Sequence, residues 1–150
     1  MRRSVVAVLV LVVVLSVAGC RPGTMESSEG NVKVTLPVGQ EPVTFHKQAD
    51  GSWAGIIHTT GVARAWEATV SWEATRRLSP DLLASLGQGS FMTSAGAPDY
   101  GTFDQALVLV SAASNPAPEG KGTLRIFITS MKDGSQQDIV DIPLTLRVGQ

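Results

Sequence analysis

The stretch Gly122–Val148, GTLRIFITSMKDGSQQDIVDIPLTLRV, decides the fold class of this chain. Leu124, Ile126 and Ile128 alternate with Thr123, Arg125, Phe127 and Thr129. Val140, Ile142, Leu144, Leu146 and Val148 alternate with Asp141, Pro143, Thr145 and Arg147. Successive side chains of a strand point to opposite faces, so each run predicts a strand with one apolar face. Asp133-Gly134 between them is a turn signal, because glycine takes the positive φ that tight hairpins need. Pro143 has no N–H to donate, which assigns the second strand to a sheet edge.

Working outward from this hairpin, Val32, Val34, Leu36 and Val38 alternate with Asn31, Lys33, Thr35 and Pro37. Val43 and Phe45 start another short strand, and Ile56 and Ile57 follow the Asp50-Gly51 turn. Val62 to Glu73 reads as one strand. On that reading Val62, Trp66, Ala68, Val70 and Trp72 face a core, while Ala63, Ala65, Glu67 and Glu73 face solvent. Ser79-Pro80 before Leu82, Leu83 and Leu86 predicts one or two helical turns, Ser79 capping and Pro80 at the first helical position. Phe91-Met92 is a short strand, and Ala97 to Gly101 is a loop. Phe103 to Ser111 is apolar on both faces and predicts a central strand, and Asn115 to Gly122 is a long turn. Six to eight short strands separated by turn signals give an all-β chain folded as an antiparallel β-sandwich.

The N-terminus says where the protein lives. Arg2 and Arg3 precede an apolar run from Val5 to Val17, and Val17-Ala18-Gly19-Cys20 follows. A basic start, a short apolar core and small residues before a cut make a secretory signal peptide over residues 1–19. The run is shorter than the ~20 apolar residues that span a bilayer. The four residues resemble a bacterial lipobox, which implies cleavage between Gly19 and Cys20 and a diacylglycerol on the Cys20 sulfur. Cys20 is the only cysteine, so an acylated chain has no free thiol for disulfides, thiolate catalysis or metal binding. Arg21 to Gly30, RPGTMESSEG, reads as a flexible tether to a single domain over residues 31–150. Without residues 1–19 the chain loses Arg2 and Arg3 and carries a modest excess of acid, which speaks against nucleic acid as a partner.

From about Ile56 to Val148 the chain resembles Gmad2, the immunoglobulin-like domain of bacterial spore germination. Three blocks carry the resemblance. Gly61 to Val70, GVARAWEATV, is similar to the family's Gly-x-Ala-x-x-aromatic-Glu strand. Phe91 to Phe103, FMTSAGAPDYGTF, is similar to its small-residue loop running into Gly-x-Phe. Gly122 to Phe127 with Ser130 to Ser135, SMKDGS, is similar to its Ser-x-x-Asp-Gly-Ser hairpin. The resemblance implies an immunoglobulin-like sandwich, an association with spores, germination or the cell envelope, and no enzymatic activity. The chain departs from the family in an apolar insert, Leu78 to Leu86, where the family has a tight polar hairpin, and in having no second domain.

Among candidate functional residues, Cys20 is the lipid site. Tyr100 and Trp53 lie in loop-like segments and are candidates for a ligand or partner surface. Glu67 on the polar face of its strand and Leu83 on the predicted helical stripe complete that set. His46 and His58 have no second histidine or cysteine at ligand spacing, which argues against zinc. Asp133, Asp138 and Asp141 are explained by a turn and a solvated face better than by calcium. No glycine-flanked nucleophile elbow surrounds any serine. The expectation is a non-catalytic lipoprotein without cofactor, held on the outer face of the cell membrane through lipid on Cys20. Its partner is an envelope protein or, alternatively, peptidoglycan or another cell-wall glycan.

Overall fold

The computed structural model describes residues 23–35 and 41–150. The signal peptide, Gly19, Cys20 and the Leu36–Val38 end of the first predicted strand lie outside these residues. Nine strands follow in order: β1 (Thr24–Glu26), β2 (Val32–Thr35), β3 (Val43–Lys47), β4 (Trp53–Ala63), β5 (Thr69–Ser79), β6 (Leu82–Met92), β7 (Gly101–Ser111), β8 (Gly120–Thr129) and β9 (Gln136–Val148). One layer runs β1-β2-β4-β7, and the other runs β3-β9-β8-β5-β6. β3 joins the two: Val43–Phe45 pair in parallel with Leu146–Val148, whereas His46 and Lys47 pair with Ala54 and Trp53 of β4.

The alternating residues meet between the layers. Leu124, Ile126, Ile142 and Leu144 of the C-terminal hairpin are buried against Val32, Val34, Phe45, Val70, Trp72 and Leu109. Each such side chain removed from water contributes about 1.5–3 kcal/mol before conformational entropy is subtracted. The hairpin forms as predicted, with Asp133-Gly134 in its turn and Gly134 at φ 71°. Pro143 sits where β9 has only β8 beside it, because β3 pairs no further down than Leu146.

Several local expectations are corrected. The run Val62–Glu73 is not one strand. It breaks into the end of β4, a short 3-10 turn at Trp66–Ala68, and β5. The break shifts the alternation, so Val70 and Trp72 face the core as expected, whereas Ala63 and Ala65 before them are fully buried and Trp66 is exposed. Leu82–Leu86 is not helical: it begins β6, paired antiparallel with β5 around a tight Ser79–Leu82 turn. Ser-Pro-Asp serves a β-turn as well as a helix start, and cross-strand pairing decides between them. Leu86 is the extra residue of a bulge between Ala74 and Thr75, which turns it into the core while Leu82 and Leu83 stay exposed.

Phe103–Ser111 belongs to an edge strand rather than a central one, since β7 pairs only with β4 among the described residues. Its Val108 and Val110 face outward. Residues 24–30, expected in a flexible tether, form β1 and a turn closed by Gly30 N–H donating to Ser27 O at 2.9 Å. Pairing with β2 and burial of Ser27 order a segment whose composition carries no periodicity.

The long turn after β7 is fixed by an unexpected residue. Arg76 projects into the interior from β5 and is 3% exposed. Its guanidinium donates to Ala117 O at 2.8 Å, to Pro116 O, and to Ser111 Oγ at 3.4 Å. Burial lowers its pKa, and backbone carbonyls stand where a carboxylate partner would be.

Candidate functional site

One end of the sandwich is built from two loops that the sequence places far apart. Beyond Ala63, the buried Ala65 turns its carbonyl inward to accept from Ala97 N–H at 2.8 Å and Ala68 N–H at 3.2 Å. Glu67 and Ala68 are then left-handed, at φ 53° and 57°. Two consecutive non-glycine residues in this region cost about 1–2 kcal/mol each, and the surroundings hold them there. Thr69 N–H closes the turn on Trp66 O. Thr93 donates to Ala68 O from its N–H at 2.8 Å and from its hydroxyl at 3.1 Å. The small-residue run Ser94–Ala97 lies directly against this turn. A Cβ on Gly96 would approach Ala68 N to 2.9 Å, and one on Gly101 would run into the Ala95 backbone.

The outcome is a tip closed by hydrogen bonds. Trp66, 65% exposed, stands on it beside a shallow cleft of about 300 Å³ lined by Glu67, Ala68, Gly96 and Ala97. Glu67 is therefore at the apex of a left-handed turn and not on a strand face. No glycine marks residues 67 and 68 as left-handed, so the sequence carried no signal for the break that exposes Trp66.

Tyr100 borders the same end, 43% exposed. Its hydroxyl donates to Gly30 O at 3.0 Å, and its ring is flanked by Arg64 at 5.3 Å and Lys33 at 5.8 Å. Arg64 in turn donates to Asn31 Oδ1, and Asn31 donates to both carboxylate oxygens of Asp138 at 3.1 Å. Tyr100 thus latches the N-terminal turn onto the domain, and cations already occupy its ring.

Trp53 is not in a loop. It opens β4, packs against the core and carries Lys47 Nζ at 5.9 Å from its ring. Tyr100 adjoins Gly101, which pairs with Ala63 at the far end of β4. The ten-residue rise between Trp53 and Ala63 is about 33 Å. The two aromatics cannot stack on one small ligand.

Leu83, 57% exposed, lies elsewhere again, on the outward side of the β6-β5-β8-β9 layer. It borders a groove of about 360 Å³ lined by Glu73, Arg77, Lys121, Arg125 and Asp141. Arg125 is fixed there by Asp141, through Nε at 2.7 Å and Nη2 at 3.0 Å, with Glu73 at 3.5 Å. The bond to Asp141 raises its pKa further. A second concavity of about 500 Å³, with Ser71, Gln88, Ser90 and Gln136, shares Glu73 with the first.

The three acids weighed for calcium have separate partners. Asp133 accepts from Ser135, Asp138 from Ser27 and Asn31, and Asp141 from Arg125. Hydrogen bonds from Ser135, then Ser130, hold the Asp133 carboxyl below its usual pKa.

No match was found among curated proteins or among solved structures. The family model described as the immunoglobulin-like domain of bacterial spore germination, Gmad2, matches residues 31–135. The match begins before the region in which the sequence showed the resemblance, and takes in every strand from β2 to β8. With the all-β sandwich and the two loops that build its tip, that match makes this chain a member of the Gmad2 family of immunoglobulin-like domains.

Proposed function

We propose that this protein is a non-catalytic module of the bacterial envelope, anchored on the outer face of the cell membrane by lipid on Cys20, that presents the Trp66 tip to a protein partner during spore germination or envelope assembly. The observation that carries the reading is the exposure of Trp66 on a strained, hydrogen-bonded turn. Residues held in left-handed geometry by their surroundings concentrate at functional sites. Tryptophan is enriched among residues that dominate binding energy at interfaces. An exposed aromatic beside a small-residue cleft suits docking of a protein surface, and no covalent step is needed for it.

Anchoring is supported by the lipobox-like Val17-Ala18-Gly19-Cys20. Among the described residues no helix is long and apolar enough to cross a membrane. The test is photo-crosslinking in cells from benzoylphenylalanine at Trp66 and, for comparison, at Leu83. A discrete protein adduct from Trp66 supports the reading. Adducts to glycan alone, or none, overturn it.

A second reading is favoured by the polar groove beside Leu83. Its hydroxyl, amide and charged groups suit a cell-wall glycan better than Tyr100 and Trp53 do. Saturable retention on cell-wall material that Lys121→Ala weakens and Trp66→Ala leaves unchanged would favour it.

A further inference from the structure

The outward side of the β4-β7 pair is divided by chemistry. Toward the start of β4, Ile56 faces Val108 and Ala54 faces Val110 across the ladder, with Ala106 beside them. Ile56 is 58% exposed, Val108 54% and Val110 45%. Among the described residues of β4 and β7 no charged side chain stands on this half, and His46 of β3 pairs with Ala54 at its border. Toward the end of β4 the same side carries His58, Thr60, Thr102 and Asp104. Leu82, Leu83 and Met92 are also exposed, on β6, but here the apolar residues face one another across the ladder, and an apolar cluster of that kind on a solvent face marks an interaction surface.

The chain upstream of β1 ends near this half. Thr24 pairs with Thr35 and Thr35 with Thr60, so these three residues are level across the sheet. β1 is antiparallel to β2 and β2 to β4, so the backbone leaving Thr24 upstream heads toward the low-numbered, apolar half of β4. Thr24 is two strand spacings from β4, about 10 Å, and Ile56 is four residues below Thr60, about 13 Å. Residues 21–23 alone separate Thr24 from Cys20. Four Cα steps span at most about 14 Å. A lipid on Cys20 is therefore held within about 14 Å of the Thr24 Cα, on the layer that carries the apolar half.

We infer that Ile56, Val108 and Val110 rest on the lipid surface, so that the anchored domain lies with its β4-β7 face toward the membrane. This inference rests on the proposed acylation of Cys20. The lipid supplies attachment, and the apolar half sets orientation. The groove at Glu73, Lys121 and Arg125, on the opposite layer, then faces away from the membrane, toward the wall. Ordering of residues 24–30 onto the domain is what makes the orientation defined, because a tether running to Gly30 would leave the domain free to roll.

The test uses the full chain in cell membranes, with benzoylphenylalanine at Val108 or, as reference on the opposite layer, at Thr123. Lipid adducts and the mass of the Cys20 peptide are read in the same samples. The expected result is several-fold more lipid adduct from Val108 than from Thr123, with lipid on Cys20. Lipid on Cys20 with equal or less lipid adduct at Val108 overturns the orientation and leaves anchoring intact. Protein adducts from Val108, to a second copy or to another protein, overturn it as well. A Cys20 peptide without lipid overturns the anchoring and the orientation together. Ile56→Asp with Val110→Asp, both at exposed positions, is expected to cut the Val108 lipid adduct several-fold while Cys20 stays acylated. An undiminished adduct in that variant counts against the apolar half as the cause.

Discussion

Arg64 donates through Nε, at 2.9 Å, and through Nη2 to the side-chain oxygen of Asn31, a residue thirty-three positions earlier. The backbone repeats the contact, with Arg64 N–H donating to Asn31 O at 2.8 Å. Since Asn31 also holds Asp138, and Arg64 flanks Tyr100, this pair ties the N-terminal turn, the tip and the start of β9 into one corner. Asp138 is itself left-handed, at φ 50°, and its two oxygens are aimed at Ser27 and Asn31.

Asn31→Ala should unlatch that corner. Hydrogen bonds involving charged groups contribute about 1.5–3 kcal/mol, and partial exposure here puts the expected loss near the lower figure. The loss should concentrate in β1 and residues 27–31. Hydrogen exchange is expected to accelerate there and at the start of β9 around Asp138, and to stay unchanged in β8 and in residues 140–148. Uniform acceleration across the sandwich would count against a local latch.

Trp66→Ala separates function from folding. The side chain is mostly exposed and its removal opens no cavity, so stability should change by no more than about 0.5 kcal/mol. Binding of the partner should fall steeply, as it does when a central aromatic of an interface is truncated. Urea unfolding and crosslinking yield from a neighbouring position, Ala97, measure the two effects. A large stability loss would mean that Trp66 packs in the folded chain.

Arg76→Ala removes a buried cation and leaves the carbonyls of Pro116 and Ala117 without their donor. The expected loss is about 2–4 kcal/mol, combining the cavity with unpaired acceptors. Arg76→Met keeps most of the volume and no longer buries a charge, so its loss should be smaller. Both variants should loosen residues 115–119 in hydrogen exchange. A methionine variant as unstable as the alanine one would indicate that the hydrogen bonds outweigh the packing.

Asp133 gives a pH dependence. Its folded pKa is depressed below the usual 3.8, first by the Ser135 hydroxyl, so the folded state prefers the ionised form. The stabilisation is present above the unfolded value and is lost as pH falls through the depressed one. Asp133→Ala should therefore lower stability at pH 7 and make no difference in strong acid. Paired urea titrations at the two pH values check this. An equal effect at both would point to turn geometry alone.

The alternation in Leu124–Ile128 and Val140–Val148, and the Asp133-Gly134 turn between them, were sufficient to predict the hairpin. Period two and a glycine at positive φ are local properties that no distant contact overrides here. The same held for Val43 and Phe45, and the blocks around Gly61, Gly96 and Asp133 were enough to point to the family. Val70 and Trp72 face the core as expected, but the faces of residues 62–66 were not legible, because one left-handed pair without glycine separates them from β5 and shifts the alternation. What holds that pair is Thr93 and Gly96, about thirty residues on.

Leu83, expected on a helical stripe that packs over the sandwich end or is exposed to a partner, is exposed on a strand instead, since Ser79-Pro80-Asp81 suits a helix start and a β-turn equally. Pairing with Arg77 settles it as a strand. Likewise Trp53 and Tyr100 were both expected in loops on a ligand surface, but Trp53 opens β4 against the core, and the length of β4 shows that the two cannot share a ligand. Periodicity, turn residues and the lipobox-like run are one-dimensional, so the sequence by itself determined the fold class, the family and the expectation of export. Which aromatic is exposed, which strand is an edge and whether residues 24–30 are ordered depend on contacts across the sandwich. Those were decided only by the tertiary structure.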